Sequence, residues 1–344
     1  MATKESPSKI FRKWDIIDFV SQADQMAIQT VLYLKRINLI ACFHFDGLIT
    51  LYEINTHRPV KTFKAHNGSI TSTYFNSKES KLFTQYTGEI KVWDLKHNSF
   101  KELACFNVDY SIVYAIELFK KQGTLAVAGE WKGWGRPKKY STLLLLDLKT
   151  EDVICEWKDT ATIKSMQKIR YSASKRKYLI ACSLTTGFIK LLTCTNGFRC
   201  IGMIKAHSEA ITKLHITRIN DHPFCISESD DKQVNLWNVT SSLRKVRHFE
   251  FKKKRLICGS FYRERVMVLV EEYGSKIYFV DIITGVFVRE IEIAMQRRIL
   301  KGITLGHIDK VLIVLDIPKV LYLGIPQENT KNHEQEHQLK SRTY

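Results

Sequence analysis

His207 and Asp231 are the residues best suited to acid–base chemistry, because a carboxylate can orient an imidazole as a general base. They lie 24 residues apart in the chain. No candidate nucleophile accompanies them, and the sequence contains no Gly-rich phosphate loop and no GxSxG or HExxH motif. We therefore expect a structural role for this pair and no enzymatic activity.

Residues 130–139, EWKGWGRPKK, combine two tryptophans with four basic side chains. Aromatic rings beside cations can stack on nucleic-acid bases, form cation–π contacts or grip an acidic peptide. The alternative is that both rings fold back as a local hydrophobic cluster. The candidate partner-binding residues of this segment are Trp131, Trp134, Arg136, Lys138 and Lys139.

Two further basic clusters could extend such a surface. The first is Lys252, Lys253, Lys254 and Arg255, a string that also resembles a nuclear-import signal. The second is the pair Arg297 and Arg298. The alternative for each cluster is an ordinary solvated loop.

Composition narrows the class of protein. The 344 residues are 44% hydrophobic and carry a formal net charge of +18, which favours acidic partners, either protein or RNA. The eight cysteines form no CxxC pair, so we expect reduced thiols, no metal site and no cofactor. No apolar run approaches the roughly 18–20 residues of a membrane span. The chain start lacks an apolar signal segment, and we expect a cytoplasmic or nuclear protein.

The elements that must position these residues are short β-strands, because β-branched segments separated by turn residues recur along the whole chain. One register repeats: DGLITLYEI, TGEIKVWDL, TGFIKLLTC and DKQVNLWNV each place a large residue six positions after a turn residue. Weaker copies extend the series, at intervals of 41 to 53 residues. The anchors of the series are Tyr52, Trp93, Leu146, Leu192, Trp237, Val280 and Leu323.

This pattern resembles the WD-repeat family of β-propellers. Trp93–Asp94 stands where the family has Trp-Asp, and Trp237–Asn238 is a near match. His66 and His207 precede the two tryptophans by 27 and 30 residues, and each follows an alanine where the family has Gly-His. The resemblance implies an all-β fold, a seven-bladed propeller of four-stranded antiparallel blades.

The resemblance also implies a hydrogen-bonded group of four side chains in a blade. In the second repeat the candidates are His66, Thr84, Thr87 and Trp93, with Thr87 where the family has Asp. In the fifth repeat they are His207, Ser227, Asp231 and Trp237. Such a group would tie the loop that leads into a blade to its third strand, since buried polar groups need partners.

The last repeat ends too close to the polar tail to supply a fourth strand of its own. We expect residues 11–20 to supply that strand and close the ring, because the family closes it this way and closure removes open sheet edges. The expected organisation is a disordered segment 1–10, a propeller over 11–326 and a disordered polar tail over 327–344.

The function that these observations favour is a non-catalytic interaction scaffold within a larger eukaryotic intracellular complex. One alternative, supported by the positive charge, is an RNA-associated propeller in ribosome assembly or RNA processing. Another is a substrate receptor of a cullin ubiquitin ligase, suggested by the string from Trp93 to Lys96. We expect protein partners, with acidic partners and RNA left open, and no small-molecule substrate.

Overall fold

The structure, a computed structural model, is built almost entirely of β-strands. It describes residues 17–20, 28–56, 58–96, 100–108, 110–119, 123–131, 140–170, 178–194, 197–220, 222–239, 242–250, 256–262, 266–271, 276–292, 299–305, 310–315 and 319–324. The expected disordered ends, 1–10 and 327–344, lie outside these residues.

Twenty-four consecutive strands form six blades of four strands each. Blade one is β2 (Ile28–Leu34), β3 (Leu39–His44), β4 (Leu48–Glu53) and β5 (Pro59–Lys64). Blade two is β6 (Ser72–Asn76), β7 (Lys81–Tyr86), β8 (Glu89–Asp94) and β9 (Lys101–Asn107). Blade three is β10 (Tyr110–Phe119), β11 (Thr124–Trp131), β12 (Ser141–Asp147) and β13 (Val153–Asp159).

The next three blades repeat the arrangement. Blade four is β14 (Ile163–Arg170), β15 (Tyr178–Leu184), β16 (Phe188–Thr193) and β17 (Arg199–Lys205). Blade five is β18 (Ile211–Ile219), β19 (His222–Ser229), β20 (Gln233–Val239) and β21 (Leu243–Glu250). Blade six is β22 (Leu256–Tyr262), β23 (Val266–Glu271), β24 (Lys276–Asp281) and β25 (Phe287–Glu292).

A closing sheet combines the two ends of the described chain. Its strands are β26 (Ile299–Leu305), β27 (Lys310–Leu315), β28 (Lys319–Gly324) and, from the N-terminal side, β1 (Ile17–Val20). The sheet has the order β1-β28-β27-β26, and Ile17 lies opposite Tyr322 in antiparallel register. Strand β26 contacts both β22 and β2, so this sheet lies between blade six and blade one.

The expectation of a seven-bladed propeller is wrong, because the structure shows six blades. Each of the six consists of consecutive strands, and side chains are described in all of their strands except β22. The closing sheet is a composite of both chain ends and is described by its backbone pairing alone. The physical reason is that the last repeat supplies only three strands, whose open edge the distant strand β1 covers.

Hydrophobic cores lie between neighbouring blades, because each sheet is apolar on both faces. One core joins blades one and two, and similar cores join each following pair up to blades five and six. The six anchors with described side chains are all buried. These anchors are Tyr52, Trp93, Leu146, Leu192, Trp237 and Val280. Stacked blades of this kind form a stiff support for the loops between strands.

Candidate functional site

The polar network of blade five centres on the buried imidazole of His207. Its Nδ1 lies 3.0 Å from an Asp231 carboxylate oxygen, and its Nε2 lies 2.7 Å from the Ser227 hydroxyl. The indole N–H of Trp237 donates to the same hydroxyl at 2.9 Å. Asp231 also accepts from the Ser208 amide at 3.1 Å. The network therefore joins the loop leading into blade five to strands β19 and β20.

Blade two has the same network with one different member. The Nε2 atom of His66 lies 2.8 Å from the Thr84 hydroxyl, which accepts the indole N–H of Trp93 at 2.9 Å. Nδ1 of His66 lies 2.7 Å from a carboxylate oxygen of Glu89, at the start of β8. The assignment of Thr87 to this network is therefore corrected to Glu89. Thr87 lies in the turn before β8, with φ at 40°, and a longer carboxylate from the strand takes the place expected for it.

Glycines in two turns explain how an Ala-His pair fits where the family has Gly-His. The carbonyl of Gly187 accepts the amides of Ala206 and His207 at 2.9 and 3.1 Å. The carbonyl of Gly47 makes the same pair of contacts to the Ala-His pair of blade two, at 3.0 and 3.3 Å. Both glycines have positive φ, and a Cβ on either would lie 2.2–2.3 Å from a histidine carbonyl oxygen. The close approach therefore depends on the glycine of the preceding blade rather than on the alanine.

Both networks favour a neutral imidazole beside an ionised carboxylate. Burial lowers the pKa of His207 and of His66, although the neighbouring carboxylates act in the opposite direction. Burial also opposes ionisation of Asp231, but the Gln233 amide and the imidazole outweigh it and lower the pKa of the carboxyl. The pKa of Glu89 is lowered in the same way against burial, chiefly by its hydrogen bond with His66.

Each imidazole ties the loop that leads into its blade to the strands of that blade, and neither ring is accessible to a substrate. The side chains of His66 and His207 are fully buried, and both ring nitrogens of each have protein partners. Within the described part of the chain, no three His, Cys, Asp or Glu side chains are grouped so that they could hold a metal ion. The same described residues include no helix long and apolar enough to cross a membrane. The seven described cysteines are free thiols.

The ends of the aromatic and basic segment are anchored to blade four. Thr162 donates its hydroxyl at 2.8 Å to the carboxylate of Glu130, the first residue of the segment. On the other side, the Ser141 hydroxyl donates to the Gly129 carbonyl at 3.2 Å and accepts the Ile163 amide at 3.1 Å. The connection from β11 to β12 therefore starts and ends at positions bound to the first residues of the next blade.

Most of the predicted partner-binding residues lie outside the described part of the chain. Trp131 ends β11, and its backbone lies opposite Tyr110 of β10. The others fall in segments 132–139, 251–255 and 293–298, which follow β11, β21 and β25. These residues are Trp134, Arg136, Lys138, Lys139, Lys252, Lys253, Lys254, Arg255, Arg297 and Arg298. Their role stays a prediction.

Sequence reasoning missed Glu89, Glu130 and Thr162. Glu89 escaped because the carboxylate of the network was sought only at the turn position that Asp231 occupies in blade five. A signal was available, since a carboxylate two residues after Thr87 is still close to the turn. The Glu130–Thr162 contact joins residues 32 apart in different blades, and no local pattern announces it.

Comparison with known proteins finds a match to one family model and a similar fold among solved structures. The family model described as WD domain, G-beta repeat matches residues 57–94, which end with Trp93 and Asp94 of blade two. The crystal structure of the Cps50 (Swd1) beta-propeller domain from Myceliophteria thermophila is similar, with a TM-score of 0.71 at 16% identity, over 90% of this chain and 100% of that one. No curated protein matches the sequence. Because 1758 solved chains match, the shared fold does not select a function.

The matched segment runs from β5 of blade one to the end of β8 in blade two, and it contains the histidine, threonine and tryptophan that are hydrogen-bonded to one another. A second blade repeats that network with a serine and an aspartate. Both blades belong to a ring of four-stranded antiparallel sheets with a known propeller as its structural neighbour. Residues 57–94 therefore match the WD-repeat family model, and the chain as a whole has the fold of a β-propeller.

Proposed function

We propose that the chain is a non-catalytic scaffold that binds protein partners within a larger eukaryotic intracellular complex. The observation that carries the proposal is the anchored base of segment 132–139, where Glu130 and Ser141 are hydrogen-bonded to the start of blade four. A segment whose flanking residues are held in place loses less conformational entropy on binding than a segment whose flanking residues move. Such a base suits a segment whose task is to contact a partner.

The composition of the segment supports protein binding. Tryptophan and arginine are the residues most enriched among those that dominate binding energy at protein interfaces. Segment 132–139 carries Trp134 and Arg136, and Trp131 immediately precedes it. Lys138 and Lys139 add charge that favours an acidic partner surface. In this proposal Lys252–Arg255 and the arginine pair at 297–298 contact the same partner as segment 132–139 does.

The proposal is tested by affinity purification of the tagged chain from its own cells. The variants are Trp131→Ala with Trp134→Ala, and Lys138→Glu with Lys139→Glu. A matched charge control is Lys61→Glu with Lys101→Glu, because both lysines are exposed on outer strands of other blades. We expect both loop variants to lose the same protein partners and the control to keep them. If the wild type, both segment variants and the control retain identical partners, the segment is not the binding site.

RNA binding is a second candidate, favoured by the net charge of +18. Phosphate contacts make affinity fall steeply with salt, because each contact releases counterions. RNA binding predicts that the Lys138→Glu, Lys139→Glu protein binds RNA more weakly and with a shallower salt dependence than the wild type. A protein interface anchored by tryptophan predicts that the alanine variants lose more affinity than the charge variants, with little dependence on salt.

A further inference from the structure

A cleft opens between blades two and three on the side formed by their outer strands. It has two compartments, of about 310 and 270 Å³, and Phe106 of β9 lines both. The larger compartment is also lined by Leu144, Leu146 and Val153 of blade three. The smaller one lies nearer the turns that follow β6 and β10. We call the two compartments together the blade 2–3 cleft.

The cleft exists because this junction lacks the large side chain that fills the preceding one. Between blades one and two, the anchor Trp93 packs against Phe63 with ring centroids 4.9 Å apart. Phe63 lies opposite Ile49, and Phe106 lies opposite Ile90 at the same place in blade two. The anchor that reaches this junction from blade three is Leu146, which is much smaller than tryptophan.

A second small side chain widens the same space. Ala104 lies opposite Val92 in β9, where blade one has Lys61 opposite Leu51. Ala104 lines the smaller compartment beside Phe106. The smaller compartment is therefore mainly apolar and has room for a side chain from a bound peptide.

The cleft also contains a polar group that lacks a partner. Asn76 is 1% exposed and lines the smaller compartment, and its side-chain oxygen has no hydrogen-bond partner among the described residues. A buried acceptor without a partner is costly. Because this oxygen is itself shielded from solvent, an occupant can donate an N–H to it only by displacing the side chains around it, and doing so would remove that cost. Backbone amides of an extended peptide are donors of this kind.

Charge selects the kind of peptide. In a chain with a net charge of +18, the described lining of the larger compartment contains two carboxylates, Glu151 and Glu156, and no lysine or arginine. Glu156 is paired with Lys158 at 3.2 Å, but both side chains are largely exposed and such pairs contribute little. Lys81 lines the smaller compartment, where it is paired with Glu79 at 3.1 Å, so the two charges there largely offset each other. The field that repels phosphates and attracts cations is therefore that of the larger compartment.

We propose that the blade 2–3 cleft binds an extended segment of a partner protein, which inserts an apolar side chain against Phe106 and places a lysine or arginine beside Glu151 and Glu156. Nucleic acid is a poor occupant, because its phosphates would face two carboxylates. None of the residues that line the cleft belongs to segment 132–139, so this proposal and the proposed function can fail independently.

The probe is a phage-displayed library of random linear peptides selected on the full chain. Enriched peptides are then synthesised, and their affinity is measured by fluorescence anisotropy. We expect sequences that combine an aromatic or aliphatic residue with a neighbouring lysine or arginine.

Ala104→Trp fills the cleft and should weaken binding at least about tenfold, a change of about 1.4 kcal/mol. Met203→Trp, at an exposed position on β17, is the matched control and should bind like the wild type.

Two further variants keep the test independent of folding. Val153→Arg changes a residue that is 53% exposed at the cleft, so the fold should tolerate it, while the new cation should repel a basic peptide. Glu151→Gln with Glu156→Gln should weaken binding about threefold and flatten its salt dependence, whereas Glu209→Gln, an exposed carboxylate of blade five, should not.

Several results would overturn the proposal. Enriched peptides that are acidic, or whose binding is unchanged by both Ala104→Trp and Val153→Arg, would place the binding site elsewhere. If the selection yields no peptide whose binding is weakened by Ala104→Trp or Val153→Arg, the cleft does not bind peptides and the proposal is wrong. Analytical ultracentrifugation of the wild type and of Ala104→Trp measures the oligomeric state. If the wild type forms a dimer that Ala104→Trp abolishes, the occupant of the cleft is a second copy of this chain, and the peptide proposal is wrong.

Discussion

The Nδ1 atom of His66 lies 2.7 Å from a carboxylate oxygen of Glu89, and the other oxygen of that carboxylate lies 3.7 Å from the ammonium group of Lys91. In blade five the corresponding imidazole of His207 meets Asp231, which lies in the turn before the strand. Two blades thus satisfy the same buried ring nitrogen with carboxylates from different places in the sheet. The shared requirement is a hydrogen-bond acceptor for Nδ1, which either side chain supplies.

We expect Glu89→Ala to lower the free energy of unfolding by about 1–3 kcal/mol, because it leaves the buried Nδ1 of His66 without its acceptor. Urea denaturation of the purified chain measures the change. Glu79→Ala is the matched control, since its carboxylate forms an exposed pair with Lys81. Equal midpoints for the two variants would mean that Glu89 contributes nothing to blade two.

Thr87 should respond to substitution through its backbone rather than through His66. Its φ of 40° lies in the left-handed region, which a β-branched residue disfavours and asparagine or aspartate accepts. We expect Thr87→Asn and Thr87→Asp to raise the melting temperature by similar amounts, with a gain of about 1 kcal/mol or less. A gain for aspartate alone would show that a carboxylate at this position reaches the histidine after all.

The sequence predicts the anchors well and the partners of the histidines only in part. Anchors such as Trp93 and Trp237 recur at a fixed place in each repeat, because every blade must bury a residue at that point of its third strand. The acceptor for His66 follows no such rule, since a longer side chain can reach the same nitrogen from another position. The hydrogen bond between Thr162 and Glu130 arises from how two blades stack, which no single repeat encodes.

The blade count shows the same limit. Seven anchors predict seven blades, and the short stretch after the last anchor predicts that residues 11–20 supply a closing strand. The anchors alone do not reveal that the last sheet is a composite of both chain ends rather than a seventh blade. Strand β28 pairs with β1, about three hundred residues earlier in the chain. Long-range pairing of this kind depends on which sheet edge is left open when the other blades are complete.

Asp231→Asn tests the network of blade five with little change in volume. The carboxylate accepts from His207 and from the backbone amides of Ser208 and Gln233, and an amide group can accept fewer of these bonds. We expect a loss of about 1–3 kcal/mol in the free energy of unfolding. Asp152→Asn, at an exposed turn position, is the control and should change stability by less than about 0.5 kcal/mol.

Stability should fall as the solution is acidified below neutral pH. The pKa values of His66 and His207 are lowered in the folded state, so the unfolded chain binds protons more readily near pH 6.5. Stability is therefore lost as the pH falls through 6.5 toward the folded-state values. Asp231 and Glu89 also have lowered pKa values, and their contribution is lost at lower pH, below about 4.5.

The pH dependence can be assigned by substitution. Denaturant titrations of the wild type at pH 7.5 and 5.5 should show lower stability at the acidic value. His66→Gln and His207→Gln remove the two titrating groups, so the double variant should be less stable at pH 7.5 and lose less on acidification. An equal loss in the wild type and the double variant would assign the pH dependence to other groups.

Removal of strand β1 should destabilise the whole ring. Residues Ile17–Val20 pair with β28, and their loss would leave the backbone groups on the outer edge of β28 without partners, while its other edge stays paired with β27. We expect a chain lacking residues 1–20 to melt at least about 5 °C lower than the full chain, since a few kcal/mol shifts the midpoint of a large domain by this amount. A chain lacking only residues 1–10 is the control and should melt at the same temperature as the wild type, because β1 is retained.

Adding a synthetic peptide of residues 11–24 to the chain that lacks residues 1–20 should restore part of the lost stability, whereas a scrambled peptide should not. Equal melting temperatures for the two truncated chains would mean that β1 does not hold the ring closed.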